Sequence, residues 1–490
     1  MGETMRTTLG MDALKGITGR LTEANRQFDK RLHIERPRRQ PVHVVYGGAH
    51  RFKADTARRM GELAVKSLSE YAPDFIRFAQ ALELRGADML PTDHETREAL
   101  LKLAREDAKV LERAYPAAAF AHRVYQRVRT KLEQEPVEDY RIDFEDGFGF
   151  RTDEEEDAVA VASAAELAEA ILEASMPTYI GIRIKSLVEE TRDRSLRTLD
   201  LFLTALLEAT GGAIPGRFVV TLPKVQHADQ VIALVEVIKL LEVKLGLPLR
   251  SILVELMIEH PCALFDMQGR AVLPHILEPA RGRCTSIHFG AYDYLSSLGV
   301  VASEQSLHHP ACVLARQHMQ IFSAASGVWV SDGATTLLPL PKHRGEVFSA
   351  EQATENRASM YRGWRASYRD VRESLKQGVY QGWDLHPNQL PSRFGAVVAF
   401  YAEGLESATN RLKQFLKEAT TATRTGSKFD DAATAQGLLN FFLRGFASGA
   451  LSEDEVRATG LSMEEFKSRS FLNIARVRRG SSSTLVATRE

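Results

Sequence analysis

The chain has 490 residues, with 63 Lys and Arg against 64 Asp and Glu, and this near-cancellation excludes a global field that would hold nucleic acid or an anionic membrane surface. Cys262, Cys284 and Cys312 are too few and too scattered for a disulfide framework or a thiolate metal site, which fits a reducing cytoplasm. The start MGETMRTTLGMDALKG lacks a signal peptide's apolar run and no later stretch approaches the roughly 18 apolar residues of a spanning helix, so the expectation is a cytoplasmic protein acting on a small molecule.

Residues 1–40 end in RPRRQP and read as a surface arm. The apolar run 42–46, closed by Gly47 and Gly48, reads as a first strand with a helix after it. Residues 72–135 are helical in pattern, with no strand among them, and read as an inserted helical pair. Strands are then predicted at 140–144, 179–184, 218–222, 252–258, 285–289, 327–330 and 379–385, separated by helical patterns of crossover length such as ADQVIALVEVIKLLEVKLG. The runs RFVVTL and SILVELMI are apolar on both faces, as in parallel strands covered on both sides. Eight strand–helix repeats predict an α/β chain, a (βα)8 TIM barrel over residues 41–395 with the helical insertion after the first strand. A helical C-terminal extension is expected at 396–472 and a polar, disordered tail at 473–490.

Barrel enzymes place their chemistry at the carboxyl ends of the strands, and here those ends are acidic with one arginine. Asp143 and Glu145 alternate onto one face at the end of the second strand, with Asp146 beside them, where carboxylates need a cation or donors; Asp146 also reads as a helix-capping acid. Arg183, inside IRI, requires a carboxylate or an oxyanion partner, either the substrate or the acids of the second strand, with a structural ion pair to Glu145 as the plain alternative. Lys224 follows LP at the end of the fourth strand and either orients acids or phosphate or is solvated. Glu259 and Asp293 lie at adjacent strand ends and suit an octahedral Mg²⁺ that takes its other ligands from water and substrate. Glu255, four residues before Glu259, faces the same way but deeper or joins a core ion pair, and His386 before Pro387 reads as a loop anchor.

Taken in order, IDFEDG, GIRIKS, TLPK, MIEHP, FGAYDYLSSLG and LHPNQ resemble the strand-end motifs of the metal-dependent superfamily of the citrate lyase beta subunit, malyl-CoA lyase, malate synthase and the hydroxy-oxo-acid aldolases. The resemblance implies that Glu259 and Asp293 hold Mg²⁺ or Mn²⁺, that Arg183 binds the oxygen of a 2-oxo acid, and that Glu145 and Asp146 order waters on the metal. Gly290 and Lys224 would then belong to the substrate-binding set, and the chain would be a carbon–carbon lyase for a 2-oxo acid or a hydroxyacyl group, with a coenzyme A thioester among the expected substrates and a homo-oligomer as the expected assembly. No match assigns the general base, for which Asp384 or His50 stand as candidates. The sequence departs from the family at His260, where a threonine is usual, and in the insertion near 72–135. Two rival readings are a phosphoenolpyruvate-type transferase on the same barrel and a non-catalytic scaffold.

Overall fold

The computed structural model describes residue 8 and residues 11–32, 39–324, 326–345, 347–420 and 432–486. Eight parallel strands close a barrel in sequence order: β1 (His43–Gly48), β2 (Asp139–Asp143), β3 (Tyr179–Arg183), β4 (Phe218–Leu222), β5 (Leu253–Ile258), β6 (Cys284–Phe289), β7 (Trp329–Ala334) and β8 (Gln381–Asp384). Every residue of β2, β3 and β4 is buried, so β4 reads as a short unbroken run, while Asp139, Arg141 and Asp143 alternate along β2. The helices are α1 (Met11–Leu32), α2 (Thr56–Tyr71), α3 (Phe75–Leu82), α4 (His94–Glu106), α5 (Ala108–Ala114), α6 (Pro116–Gln134), α7 (Asp153–Leu172), α8 (Arg192–Thr210), α9 (Ala228–Lys244), α10 (Leu273–Leu277), α11 (Ala291–Ser297), α12 (Pro310–Ser323), α13 (Ala350–Lys376), α14 (Leu390–Thr420), α15 (Ala432–Ala447), α16 (Glu453–Arg457), α17 (Met463–Lys467) and α18 (Phe471–Val486). Among the described residues no helix is long and apolar enough to cross a membrane.

Local chemistry accounts for several boundaries. Thr152 and Glu155 form a reciprocal capping box at the start of α7, whose first turn carries four acids against the positive end of the helix dipole. Ser349 and Gln352 do the same for α13. Strand β7 runs past the predicted 327–330 because its polar residues are satisfied where they are buried. Asp332 meets Arg316 of α12 at 3.2 Å and accepts a hydrogen bond from Ser374 at 2.5 Å. His386 caps the turn after β8 by accepting from the Asn388 amide.

Two apolar cores form, one between the barrel and helices α7–α12, the other built from α2–α6, α13, α14 and the C-terminal helices. The predicted helical pair at 72–135 is four helices, α3–α6, and they share the second core with the C-terminal extension through Phe78, Val124, Trp364, Phe394 and Phe442. The boundary expected at 395 falls inside α14, a single 31-residue helix. The tail expected from 473 is occupied to Val486 by α18, which buries Phe471 and Ile474 in this core. Of that expected tail Ile474 is buried in the core, and residues 487–490 lie outside the described residues.

At the N-terminal pole of the barrel Glu135 accepts from Arg39 Nη1 at 2.9 Å and Lys131 Nζ at 2.5 Å. Burial opposes ionisation, but Arg39 and Lys131 outweigh it and push the Glu135 carboxyl down to about 2. A depressed folded-state pKa stabilises above the unfolded value of 4.5 and loses that contribution as pH falls toward 2. Glu135→Gln is therefore expected to cost ~1–2 kcal/mol at pH 7, a loss that shrinks steadily below pH ~4.5, read from urea unfolding across that range. A pH-independent difference would contradict the charge assignment.

Candidate active site

Inward-facing side chains fill the barrel in two polar layers. The deep layer centres on Arg141 of β2, whose Nη2 donates to Glu255 of β5 at 2.7 Å, whose Nε donates to Thr221 at 3.0 Å, and whose Nη1 pairs with Asp139. Glu255 also accepts from Tyr46, Thr221 and Ser286 at 2.7–2.9 Å and sits 2.8 Å from His288 Nε2. Burial opposes its ionisation, yet Arg141 and His288 hold Glu255 well below the usual carboxylate range. This network is the core ion pair that the spacing of Glu255 allowed. Its cationic member, Arg141, and its aromatic members, Tyr46 and His288, were not singled out in the sequence, although stepping back by two from Asp143 and from Gly290 leads to Arg141 and His288.

The upper layer stands at the carboxyl ends of the strands. Arg183 Nε and Nη2 grip Asp143 at 2.6 and 2.5 Å, a two-point fork between adjacent strands held in register at Asp143 and Arg183. The principal partner of the arginine is thus Asp143, and Glu145 follows at 3.2 Å. Only Nη1 is left directed at the mouth, where it meets Glu145, Asp146 at 3.6 Å and Met257 Sδ. The guanidinium lies 4.8 Å from the Tyr46 ring centroid and 5.6 Å from that of Trp383, so two aromatic faces form its floor. Asp143 further accepts from the Glu145 and Gly147 amides at 2.9 and 2.7 Å, which folds the acidic loop back over the strand end. A Cβ at Gly147 would lie 2.5 Å from Asp143 Oδ2, so the loop needs glycine there.

Lys224 pairs with Glu145 and lies 3.1 Å from Asp146. Burial lowers its pKa, but these two acids raise it overall. Lys224 takes a left-handed backbone conformation, φ 52°, uncommon without glycine. That turn aims its amide at Glu259, 2.5 Å away. Glu259 is 4% exposed, and Gly290 makes room for it, since a Cβ there would fall 2.3 Å from Glu259 Oε2. Burial, followed by the charge of Asp293, pushes the Glu259 carboxyl up to about 8 against the opposing pull of Arg183. Asp293 itself is exposed, in the first turn of α11.

Six predicted residues therefore meet at one mouth: Arg183, Glu145, Asp146, Lys224, Glu259 and Asp293, with Gly290 as the space that admits Glu259. Asp384 does not join them. Trp383 is the inward residue of β8, packed 4.5 Å from the Tyr46 ring, so Asp384 points outward to α14. There it accepts from Arg393 Nη2 at 2.8 Å and contacts His43 Nδ1 at 2.8 Å. Asp384 is thus a structural ion pair and is withdrawn as the general base. The other candidate, His50, follows β1 beside Phe148, its ring centroid 5.6 Å away. Its Nδ1 is buried without a partner among the described residues, and burial together with Arg151 and Arg51 lowers its pKa.

No group of three or more His, Cys, Asp or Glu is placed to hold a metal ion among the described residues. The pair Glu259 and Asp293 nonetheless fits one. Both are hard oxygen donors, the charge of Asp293 opposes ionisation of Glu259, and among the described residues no ammonium or guanidinium is bonded to either carboxylate.

The family model described as a domain of unknown function (DUF6986) matches residues 21–474. No curated protein matches. Among solved structures, the chain is similar to a Haloferax volcanii malate synthase lead(II) complex, with 15% identity, a TM-score of 0.40, and coverage of 72% of this chain and 95% of that one. It is also similar to protein CitE from Mycobacterium tuberculosis in complex with magnesium, acetoacetate and coenzyme A, at 16% identity and a TM-score of 0.39, covering 66% of this chain and 95% of that one.

Proposed function

The chain belongs to the family described as a domain of unknown function (DUF6986), and on that premise we propose that it is a divalent-metal-dependent carbon–carbon lyase acting on a 2-oxo acid or a hydroxyacyl substrate, coenzyme A thioesters included. The observation that carries this reading is the mouth itself: a buried Glu259 facing Asp293, next to an Arg183 with one nitrogen still directed at the opening. A Mg²⁺ or Mn²⁺ ion held by Glu259 and Asp293 would supply Lewis-acid stabilisation of negative charge on a substrate oxygen.

The protein's own groups do the rest. Arg183 Nη1 offers a charged donor to the same oxygen, and because Asp143 fixes the other two nitrogens, no reorganisation accompanies charge development. Lys224 holds Glu145 and Asp146 at the rim, where both contact Arg183 Nη1 until substrate displaces them. His50, whose pKa burial and two neighbouring arginines lower, is the remaining candidate to accept a proton. The aromatic floor of Tyr46 and Trp383 excludes water below the substrate.

The test is a calorimetric titration of Mg²⁺ with and without pyruvate, glyoxylate or oxaloacetate. Metal-dependent binding of one of these acids is the expected result, and absence of metal binding under all conditions would refute the reading. Arg183→Lys is expected to lower kcat/KM by about 10²-fold or more, because an ammonium cannot hold Asp143 at two points while presenting a third donor. An unchanged rate would make the arginine purely structural.

A further inference from the structure

At the opposite pole of the barrel from the mouth lies a cavity of about 690 Å³, within the range of small-molecule sites. Its walls are the N-terminal ends of β1, β7 and β8, the end of α12, and α14 and α15. The residue that demands an explanation is Arg444 of α15. Its guanidinium stacks 3.9 Å from the Tyr380 ring centroid, and its Nη1 donates to Gln40 Oε1 at 2.9 Å. Among the described residues no carboxylate pairs with it. Every fully buried guanidinium of the barrel does have one: Arg141 holds Asp139 and Glu255, Arg183 holds Asp143, and Arg283 and Arg316 hold Glu242 and Asp332. Arg444 is half-buried and retains donors that face the cavity with no anion to meet them.

The surrounding groups define what would fit. Gln436 is satisfied, since its amide donates to Asn440 and its oxygen accepts from the Phe471 amide. Asn440 Nδ2, Gln40 Nε2 and Gln320 Oε1 remain without a protein partner among the described residues. The Trp329 and Tyr401 rings add flat apolar surface. We propose that this cavity is a second ligand site, separate from the chemistry of the mouth, for a small organic anion: a carboxylate or phosphate monoester seated on Arg444, a flat unsaturated body along the aromatic walls, and a polar edge read by the three carboxamides. Such a ligand touches both the barrel and α15, so it ties the C-terminal helices to the barrel and stabilises the folded chain by mass action.

The test uses the full-length protein, with 4-hydroxybenzoate and AMP as the carboxylate and phosphate-ester probes and inorganic phosphate as an anion without a body. Calorimetry is expected to find one organic probe binding with a dissociation constant below about 1 mM, and inorganic phosphate at least about tenfold weaker. Which probe binds identifies the source of the anion. Arg444→Gln should weaken that probe about tenfold or more while leaving the Mg²⁺ titration unchanged. Asn440→Leu, which leaves the Arg444–Tyr380 stack in place, should weaken it as well and guards against a folding defect in the first variant. Failure of both organic probes to bind at 10 mM, on the scale of about 2.7 kcal/mol of affinity, would overturn the proposal. So would equal binding to the Arg444→Gln protein, or binding lost in Glu259→Gln instead.

Discussion

Glu259→Gln is expected to abolish turnover and Mg²⁺ binding together, with Asp293→Asn giving the same loss, because each removes half of a two-carboxylate donor set. The glutamate variant carries a second signature. In the metal-free protein the Glu259 carboxyl is pushed up to about 8 from 4.5, so the folded state holds a proton that the unfolded chain has released. A raised carboxyl pKa makes stability fall as pH rises from 4.5 to about 8. Glu259→Gln removes that fall and should exceed the metal-free wild type at pH 8 by ~3–5 kcal/mol, the two converging near pH 5. Urea unfolding with a chelator present, and again with saturating Mg²⁺, reads both effects. A variant that still binds Mg²⁺ as the wild type does would place the metal elsewhere. A variant no more stable than the wild type at pH 8 would show Glu259 to be compensated by a group in its surroundings.

The second large effect lies below the site. Arg141→Met is expected to destabilise by about 3–5 kcal/mol, since it leaves Asp139 and Glu255 buried without their guanidinium. The penalty comes from the stranded charges more than from a lost attraction, so Arg141→Met combined with Glu255→Gln should recover part of it. Urea midpoints of the single and double variants decide this, and additive losses would mean that the two residues are not coupled. Because Tyr46 bridges Glu255 and the floor under Arg183, the single variant should also lower kcat.

Much of the site was legible because the second and third strands alternate plainly. Asp143 and Glu145 two apart, and Arg183 between isoleucines, identify an inward face without any partner in view. Glu259 and Asp293 were legible as acids at strand ends, where few structural roles exist for them. Asp384 stood as a candidate base only as an acid on the last strand, yet QGWDL places an aromatic and an acid on opposite faces of that four-residue strand. The barrel chose the tryptophan, whose ring packs on Tyr46 while Arg393 and His43 neutralise the acid outside.

What the sequence by itself determined is the repeat of strand and helix, the order of the strand-end motifs and the identity of the charged groups at the mouth. These follow from hydrophobic period and turn chemistry, which act over a few residues. What the tertiary structure alone decided is which partner each charge takes: Arg183 with Asp143, Arg141 with Glu255 across 114 positions of chain, and Arg444, among the described residues, with no acid. It also decided that the insertion and the C-terminal helices share one core, and that α14 and α15 wall a cavity under the barrel. These outcomes depend on barrel closure and strand parity, which bring residues together from distant elements by geometry that no local pattern encodes.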